Sequence, residues 1–323
     1  MIKKVAFIGV LLLLMIACKK EVTLNETKLE GGVFGTTYHI TYLSDVDYQK
    51  QIDSLFYLVN KSLSTYMPTS DISKINQGDT TVVVDDMFVE VFEKAKKIYN
   101  ETDGYFDPTI GRLIDAYGFG SGKEKKNLTH EEISALMENV GFDKVVLKHR
   151  KVYRESENIE FNVNAFAKGY GVDVVGRFFE SKNIHDYIVE IGGEIRARGT
   201  KHGKLWKVAI EKPNIDGTRS IQKVIELDNE SMATSGNYRK YKVNEEGKKI
   251  VHTVNAKTGL AEESNLLSVS VRLKGDCADV DAYATAFLAM GLEKTKAFLQ
   301  KHPELKVVLL YHNETNELVE YAN

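Results

Sequence analysis

The stretch Asn162-Val163-Asn164-Ala165-Phe166-Ala167-Lys168-Gly169-Tyr170-Gly171-Val172-Asp173 decides how the rest of the chain is read. Residues 159–163 read as a strand that runs into a helix starting near Ala165, which is a mixed α/β signal. Gly169 and Gly171 each cost a helix about 1 kcal/mol relative to alanine, so something must approach closely there, either a ligand or another backbone. A helix N-terminus offers free N–H groups and a positive dipole end, and Lys168 one turn in adds a full charge, a combination suited to phosphate. The competing reading is close helix–sheet packing beside a solvated lysine. The stretch is not a P-loop, because the Gly-x-x-x-x-Gly-Lys-Ser/Thr pattern is missing.

Residues 36–43 alternate like a strand. Ile52, Leu55, Phe56, Val59 and Leu63 fall at helical spacing, as do Phe88, Val91, Phe92, Ala95 and Ile98. Residues 82–84 read as a short strand between these helices. Further strands are expected at 187–191, 206–210, 221–227, 266–271, 306–311 and 317–321, and helices at 280–290 and 292–300. The polar stretches 120–123 and 214–220 read as surface loops. No internal repeat interrupts the pattern, so residues 31–323 are expected to form one mixed α/β domain. Asn-x-Thr triplets at Asn25, Asn127 and Asn313 are read as chance.

Composition excludes several classes. With 43% hydrophobic and 28% charged residues among 323, the chain is an ordinary globular one, not a disordered or fibrous one. A net charge of −3 argues against a nucleic-acid binder, which needs a basic surface to displace counterions. Two cysteines, Cys18 and Cys277, exclude a disulfide framework or a multi-cysteine zinc site.

The N-terminus carries an address. Lys3 and Lys4 precede an apolar run over 5–16 that is short for a membrane span and long enough for a signal-peptide core. Met15-Ile16-Ala17-Cys18 resembles a bacterial lipobox, with Met where Leu is usual. That resemblance implies a signal peptide over 1–17, a lipidated Cys18, and a periplasm-facing protein anchored in a membrane of the cell envelope; the polar residues that follow read, with Cys18, as a flexible tether over 18–30. The alternative is a plain cleaved signal with an incidental cysteine.

Two other segments carry candidate chemistry. In Cys277-Ala278-Asp279-Val280-Asp281-Ala282-Tyr283-Ala284-Thr285, Asp281 and Thr285 are four apart and share a helical face. A carboxylate and a hydroxyl suit a hard cation such as Mg²⁺. Equally, Asp279 could cap a helix and Thr285 bond back to its own carbonyls. Ser231–Arg239 and 251–259 form two Ser/Thr-rich turns, with His252 at a strand end. They frame either a pocket or a structural histidine.

Taken together, the chain resembles the ApbE family of FAD:protein FMN transferases. The matching stretches include Phe34-Gly35-Thr36-Thr37-Tyr38, Leu63-Ser64-Thr65-Tyr66-Met67-Pro68-Thr69-Ser70-Asp71-Ile72-Ser73, Asp103-Gly104-Tyr105-Phe106-Asp107-Pro108-Thr109 and Tyr117-Gly118-Phe119-Gly120. The others are 162–173, Val189-Glu190-Ile191-Gly192-Gly193-Glu194, 206–213, 233–239, 252–259 and 280–285. Each is weak alone; in the family's order, from about Gly32 to the C-terminus, they are strong. Asn162 stands where the family usually has Asp, and Ala256 where it usually has Pro.

The resemblance implies an α+β, T-fold-like architecture with antiparallel or mixed sheets and packed helices. It implies Mg²⁺-dependent transfer of the FMN half of FAD to a threonine of a membrane redox protein, with release of AMP. Targets are subunits of sodium-pumping quinone reductases or Rnf-type complexes, and the acceptor sits in a Ser/Asp-Gly-x-Thr-Ser/Ala type motif. Carried over residue by residue, Mg²⁺ ligands are the Ala165 carbonyl, Asp281 and Thr285. Lys168 holds phosphate; Phe34, Tyr66, Tyr105, Phe106, Asp107 and Asn162 line the flavin pocket. His252 is the base for the incoming hydroxyl. The rival readings are a Mg²⁺-dependent FAD diphosphatase, and a lipid-anchored flavin-binding protein without catalysis.

Overall fold

The computed structural model describes residues 25–120, 128–214, 218–238, 241–243, 247, 249–261 and 263–323. The signal segment, Cys18, residues 121–123 of one expected loop, 215–217 of the other, Asn127 and Arg239 lie outside them. The chain opens with a hairpin of β1 (Glu26–Val33) and β2 (Thr36–Leu43), joined by Phe34 and Gly35. Both turn residues have positive φ, at 50° and 74°, as a two-residue hairpin turn with the strands' own twist requires. Residues 26–30, expected within a flexible tether, instead belong to an edge strand. Its apolar content is only Leu29 and Val33, so hydropathy did not mark it, whereas all its residues lie in register opposite β2.

Helices α1 (Gln49–Leu63), α2 (Asp71–Asn76), α3 (Asp86–Glu101), α4 (Gly111–Ala116) and α5 (His130–Met137) follow. Ser70 and Asp85 cap α2 and α3 through their side chains, and Thr129 with Glu132 forms a capping box on α5. Residues 82–84 do not form the expected strand. Val84 is buried, but its N–H finds the Arg150 carbonyl at the turn of a small hairpin, β3 (Val145–Lys148) with β4 (Lys151–Arg154), and no ladder forms.

Residues 159–163 likewise lack a ladder beyond one bridge between Ile110 and Glu160. Asn76 serves both backbone groups of Phe161, and the Pro108 carbonyl takes the Asn162 N–H. Side chain and loop thus satisfy what a neighbouring strand would have. Helix α6 (Ala167–Ser181) starts two residues later than expected, which puts Lys168 in its first turn.

The remaining elements are β5 (Tyr187–Ile191), β6 (Glu194–Arg198), β7 (Trp206–Glu211), β8 (Ile221–Leu227), β9 (Ser231–Gly236), β10 (Tyr241–Val243), β11 (Lys249–Val251), β12 (Leu266–Leu273), α7 (Cys277–Met290), α8 (Leu292–Leu299), β13 (Lys306–His312) and β14 (Leu318–Ala322). An eight-stranded sheet has the order β1-β2-β5-β6-β9-β12-β13-β14, and every neighbouring pair is antiparallel. It joins the two ends of the described chain. Helices α1, α3, α6 and α7 pack into its main core, while the β7–β8 ribbon closes a second core with Ile195, Ala197 and Met232. Strand alternation on β6 then points Glu194 and Arg196 toward the helices, where both are buried.

Those buried charges are compensated. Arg196 pairs with Asp173, Asp276 and Glu180 at 2.7–3.0 Å and donates to the Tyr187 hydroxyl. Asp173, fully buried in α6, also accepts the Cys277 and Ala278 N–H groups, each at 2.8 Å. It thereby caps α7 from another helix. In return, Asp281 of α7 accepts the Gly169 N–H in the first turn of α6 at 3.1 Å. The two helix starts cap each other.

This contact explains the two glycines. A Cβ at Gly169 would lie 2.6 Å from the Cys277 carbonyl oxygen and 2.9 Å from the Ala278 Cα. One at Gly171 would lie 2.4 Å from the Phe34 ring. Another backbone and an aromatic ring, not a ligand, make the close approaches. Gly169→Ala gains helix propensity of up to about 1 kcal/mol but forces α6 from α7, an overpacking cost of about 1–3 kcal/mol. We expect a net loss of stability, read as a lower urea midpoint; an unchanged or raised midpoint refutes the contact.

Candidate functional site

At the end of the sheet where β9 and β12 approach the starts of α6 and α7, a cavity of about 920 Å³ opens. Every site residue expected from the sequence lies on its wall: Phe34, Tyr66, Tyr105, Phe106, Asp107, Asn162, Ala165, Lys168, His252, Asp281 and Thr285. Eight separate chain segments supply this wall, so only the fold brings the set together.

The oxygen donors converge first. The Thr285 hydroxyl donates to the Ala165 carbonyl at 3.4 Å and lies 3.3 Å from the Ser235 hydroxyl. It does not bond back within its own helix. One turn earlier on α7, Asp281 is 3% exposed. Asp279 is not a cap: Asp276 begins the helix, and Asp279 pairs with Lys94 at 2.9 Å. A carbonyl, a carboxylate and a hydroxyl form an all-oxygen donor set, which fits a hard divalent cation with positions left for phosphate oxygens and water. Among the described residues no group of three or more His, Cys, Asp or Glu is placed to hold a metal ion.

Lys168 is not the solvated lysine of the packing alternative. Its ammonium lies 3.0 Å from Glu194 Oε1 and 3.8 Å from Asp281 Oδ2. Burial works against that charge, yet the two carboxylates hold the ammonium above its ordinary value. Burial pushes the Asp281 carboxyl up, with Lys168 opposing, and pushes Glu194 up to about 8. Two buried carboxyls share one ammonium, and an added cation beside them would favour their ionised forms. The α6 N-terminus is less open to phosphate than expected, because Asp281 occupies the Gly169 N–H. Lys168 remains at the cavity wall.

The aromatic residues divide by exposure. Phe34 sits at its positive-φ turn position, braced edge-on against Phe56 at 5.6 Å and covering Gly171. A phenylalanine held in this conformation stores strain that surrounding packing must offset. Tyr66 is 62% exposed at the rim. Phe106, in contrast, is core, packed edge-on against Phe166 at 5.3 Å. Asp107 is buried and pushed up to about 6 by that burial; its Oδ1 already accepts from the Thr109 N–H and hydroxyl. Asn162 Oδ1 accepts the Asn164 N–H at 2.9 Å, an Asx turn that an aspartate would make equally well. The amide in place of the usual carboxylate therefore leaves the turn intact and removes charge. His252 follows β11 and lines the cavity, 6.3 Å edge-on from Phe119.

Sequence reasoning gave Glu194 no role, although it is 3% exposed, lines the cavity, and has an Oε2 with no hydrogen-bond partner. The available signal was a carboxylate opening a strand directly after Gly192-Gly193. Its folded value of about 8 lies above the ordinary 4.5, so the folded protein keeps a proton that the unfolded chain releases between those values. That stabilisation is full below the lower value and is lost as pH rises through the upper one. Glu194→Gln cannot titrate. Between about pH 5 and pH 8.5 its urea midpoint should fall less than the parent's; parallel pH profiles would contradict the assignment.

Comparison with known proteins gives a consistent result. A profile described as "ApbE family" matches residues 34–309. A Haemophilus influenzae protein described as FAD:protein FMN transferase is 34% identical over 314 residues, covering 92% of this chain and 89% of that one. A Vibrio cholerae protein of the same description is 33% identical, covering 92% and 91%. The solved structure of the flavin transferase ApbE from Vibrio cholerae superposes with a TM-score of 0.83 at 31% identity, covering 93% of this chain and 97% of that one.

Proposed function

The chain belongs to the ApbE family, and from that premise we propose that it transfers the FMN moiety of FAD to a threonine hydroxyl of a target redox protein, with Mg²⁺, releasing AMP. The observation that carries the reading is the convergence of Ala165, Asp281 and Thr285 beside Lys168 in one aromatic-walled cavity. The names of the relatives support flavin transfer.

Bound Mg²⁺ supplies the positive charge that offsets negative charge gathering on the phosphate oxygens. The Ala165 carbonyl, Asp281 and Thr285 would hold it. Lys168, fixed by Glu194 and Asp281, binds phosphate oxygen through its ammonium. Phe34, Tyr66 and Tyr105 offer ring faces and edges to the flavin or adenine. The Thr oxygen attacks the FMN phosphorus as its proton passes to His252. A phosphoester bond forms, the phosphoanhydride bond breaks, and AMP leaves with the electron pair. Targets would be membrane redox subunits with a Ser/Asp-Gly-x-Thr-Ser/Ala type motif.

The test uses purified protein, FAD, Mg²⁺ and a target, with FMN on the target read by mass spectrometry and AMP by chromatography. Target addition should accelerate AMP release, and replacing its Thr by Val should abolish flavinylation. Fast AMP release that ignores the target would instead favour the diphosphatase. Asp281→Asn keeps an acceptor for the Gly169 N–H but removes the charge. Mg²⁺-dependent transfer should drop roughly 100-fold, about 2.7 kcal/mol in the barrier; near-normal turnover would rule out the metal assignment.

Lipidation of Cys18 and attachment to the periplasmic side of an envelope membrane complete the proposal, on the strength of the Met15–Cys18 motif. No helix among the described residues is long and apolar enough to cross a membrane. In cells fed labelled palmitate, Cys18→Ala should carry no label and leave the membrane fraction; retained label would refute lipidation.

A further inference from the structure

The large sheet contains a fork. Strand β6 joins β9 through only two residue pairs, Ile195 with Met232 and Arg196 with Ser231. Continuing that register would set Gly193 opposite Thr234. The chain turns away instead: Gly192 and Gly193 have φ of 61° and 103°, and the Gly193 N–H goes to Glu190 Oε1 at 2.6 Å. Past this point β9 pairs on one side only, with β12.

The open edge can be assigned. Successive residues of an antiparallel strand present their backbone groups to opposite edges. The Asn237 N–H donates to the Leu267 carbonyl on the β12 side, and the Glu230 carbonyl accepts from the Ala197 N–H on the β6 side. Ser231, Ala233 and Ser235 therefore face β12, and Thr234 and Gly236 turn their N–H and C=O into the fork. Among the described residues those groups have no backbone partner. Burial relaxes at the same place: Ser231, Met232 and Ala233 are buried, and Thr234, Ser235 and Gly236 are half-buried.

The fork opens into the cavity, whose wall includes Gly192, Glu194, Thr234, Ser235 and Gly236. Glu194 stands where the strands part, and its buried Oε2 lacks a partner. A Cβ at Gly193 would meet nothing within 4 Å, so the space beside the turn is open. Building on the transferase reading, we propose that the acceptor segment of the target protein docks as an added strand on the 234–236 edge of β9. Thr234 and Gly236 hydrogen-bond its backbone, and the unpartnered Glu194 Oε2 takes part in a hydrogen bond with it. Strand addition takes affinity from the main chain and sets every second side chain toward one face. It suits an extended acceptor of small residues and delivers its hydroxyl into the cavity that holds Lys168 and His252.

The probe is a short synthetic peptide carrying the acceptor motif with its threonine replaced by valine, so that binding is measured without transfer. Amide hydrogen exchange at Thr234 and Gly236 should slow about tenfold or more when this peptide binds the full-length protein with FAD and Mg²⁺. Ala233 and Ser235, already bonded to β12, should change little. N-methylating the peptide's amides one at a time should weaken binding with a period of two, by about tenfold at each edge-facing position, the worth of one net hydrogen bond. No protection, no alternation, or protection by FAD and Mg²⁺ alone would overturn the proposal. If the inert peptide binds with alternation but its threonine parent gains no FMN, the docking edge stands and the transferase reading falls.

Discussion

The contact between the first turns of α6 and α7 is the constraint on which the site depends. Free N–H groups at a buried helix start must find acceptors. Here each helix supplies the other's: Asp173 serves Cys277 and Ala278, and Asp281 serves Gly169. The arrangement works only at backbone-contact distance, which Gly169 permits. Asp173 is balanced by Arg196 on β6, so the pair of helices is also registered against the sheet. Buried ion pairs add little net stability, but breaking one side leaves an uncompensated charge, so the geometry is specified.

The candidate chemistry is a by-product of that contact. Asp281 serves as cap, as partner of Lys168 and as candidate cation ligand. Thr285, one turn on, meets the Ala165 carbonyl because that segment precedes α6 and is held beside α7 by the same packing. Glu194 arrives from the sheet by strand alternation, with Arg196 two residues on in the structural ion network and Glu194 in the cavity. One helix pair and one strand thus divide their charged residues between holding the fold and facing the ligand space.

Aromatic residues follow a related division. Phe34 faces the cavity because a hairpin turn holds it at positive φ and Phe56 braces it, while Phe106, next to the half-exposed Tyr105, is drawn into the core by Phe166. Asp107 and Asn162 use a side-chain oxygen to fix their own turns. Their remaining polar atoms are what the cavity can use.

Much of this was legible in the chain alone. The helices of 49–63 and 86–101 follow from apolar residues at helical spacing, and β2, β5 and β7 from runs with strand character, because burial of one face writes its period into local sequence. The ordered motifs identified the family and every wall residue that was named. What local pattern could not carry was pairing. Glu26–Val33 is a strand because β2 pairs with it, and 82–84 and 159–163 are not strands because loop and side-chain partners meet their backbone needs. Gly169 and Gly171 announced a close approach, but not whose. The trans-capping aspartates, the buried Glu194 and the fork beside β9 join residues tens to more than a hundred positions apart. Only the tertiary structure decided them, because hydrogen-bond satisfaction depends on distance in space and leaves no period along the chain.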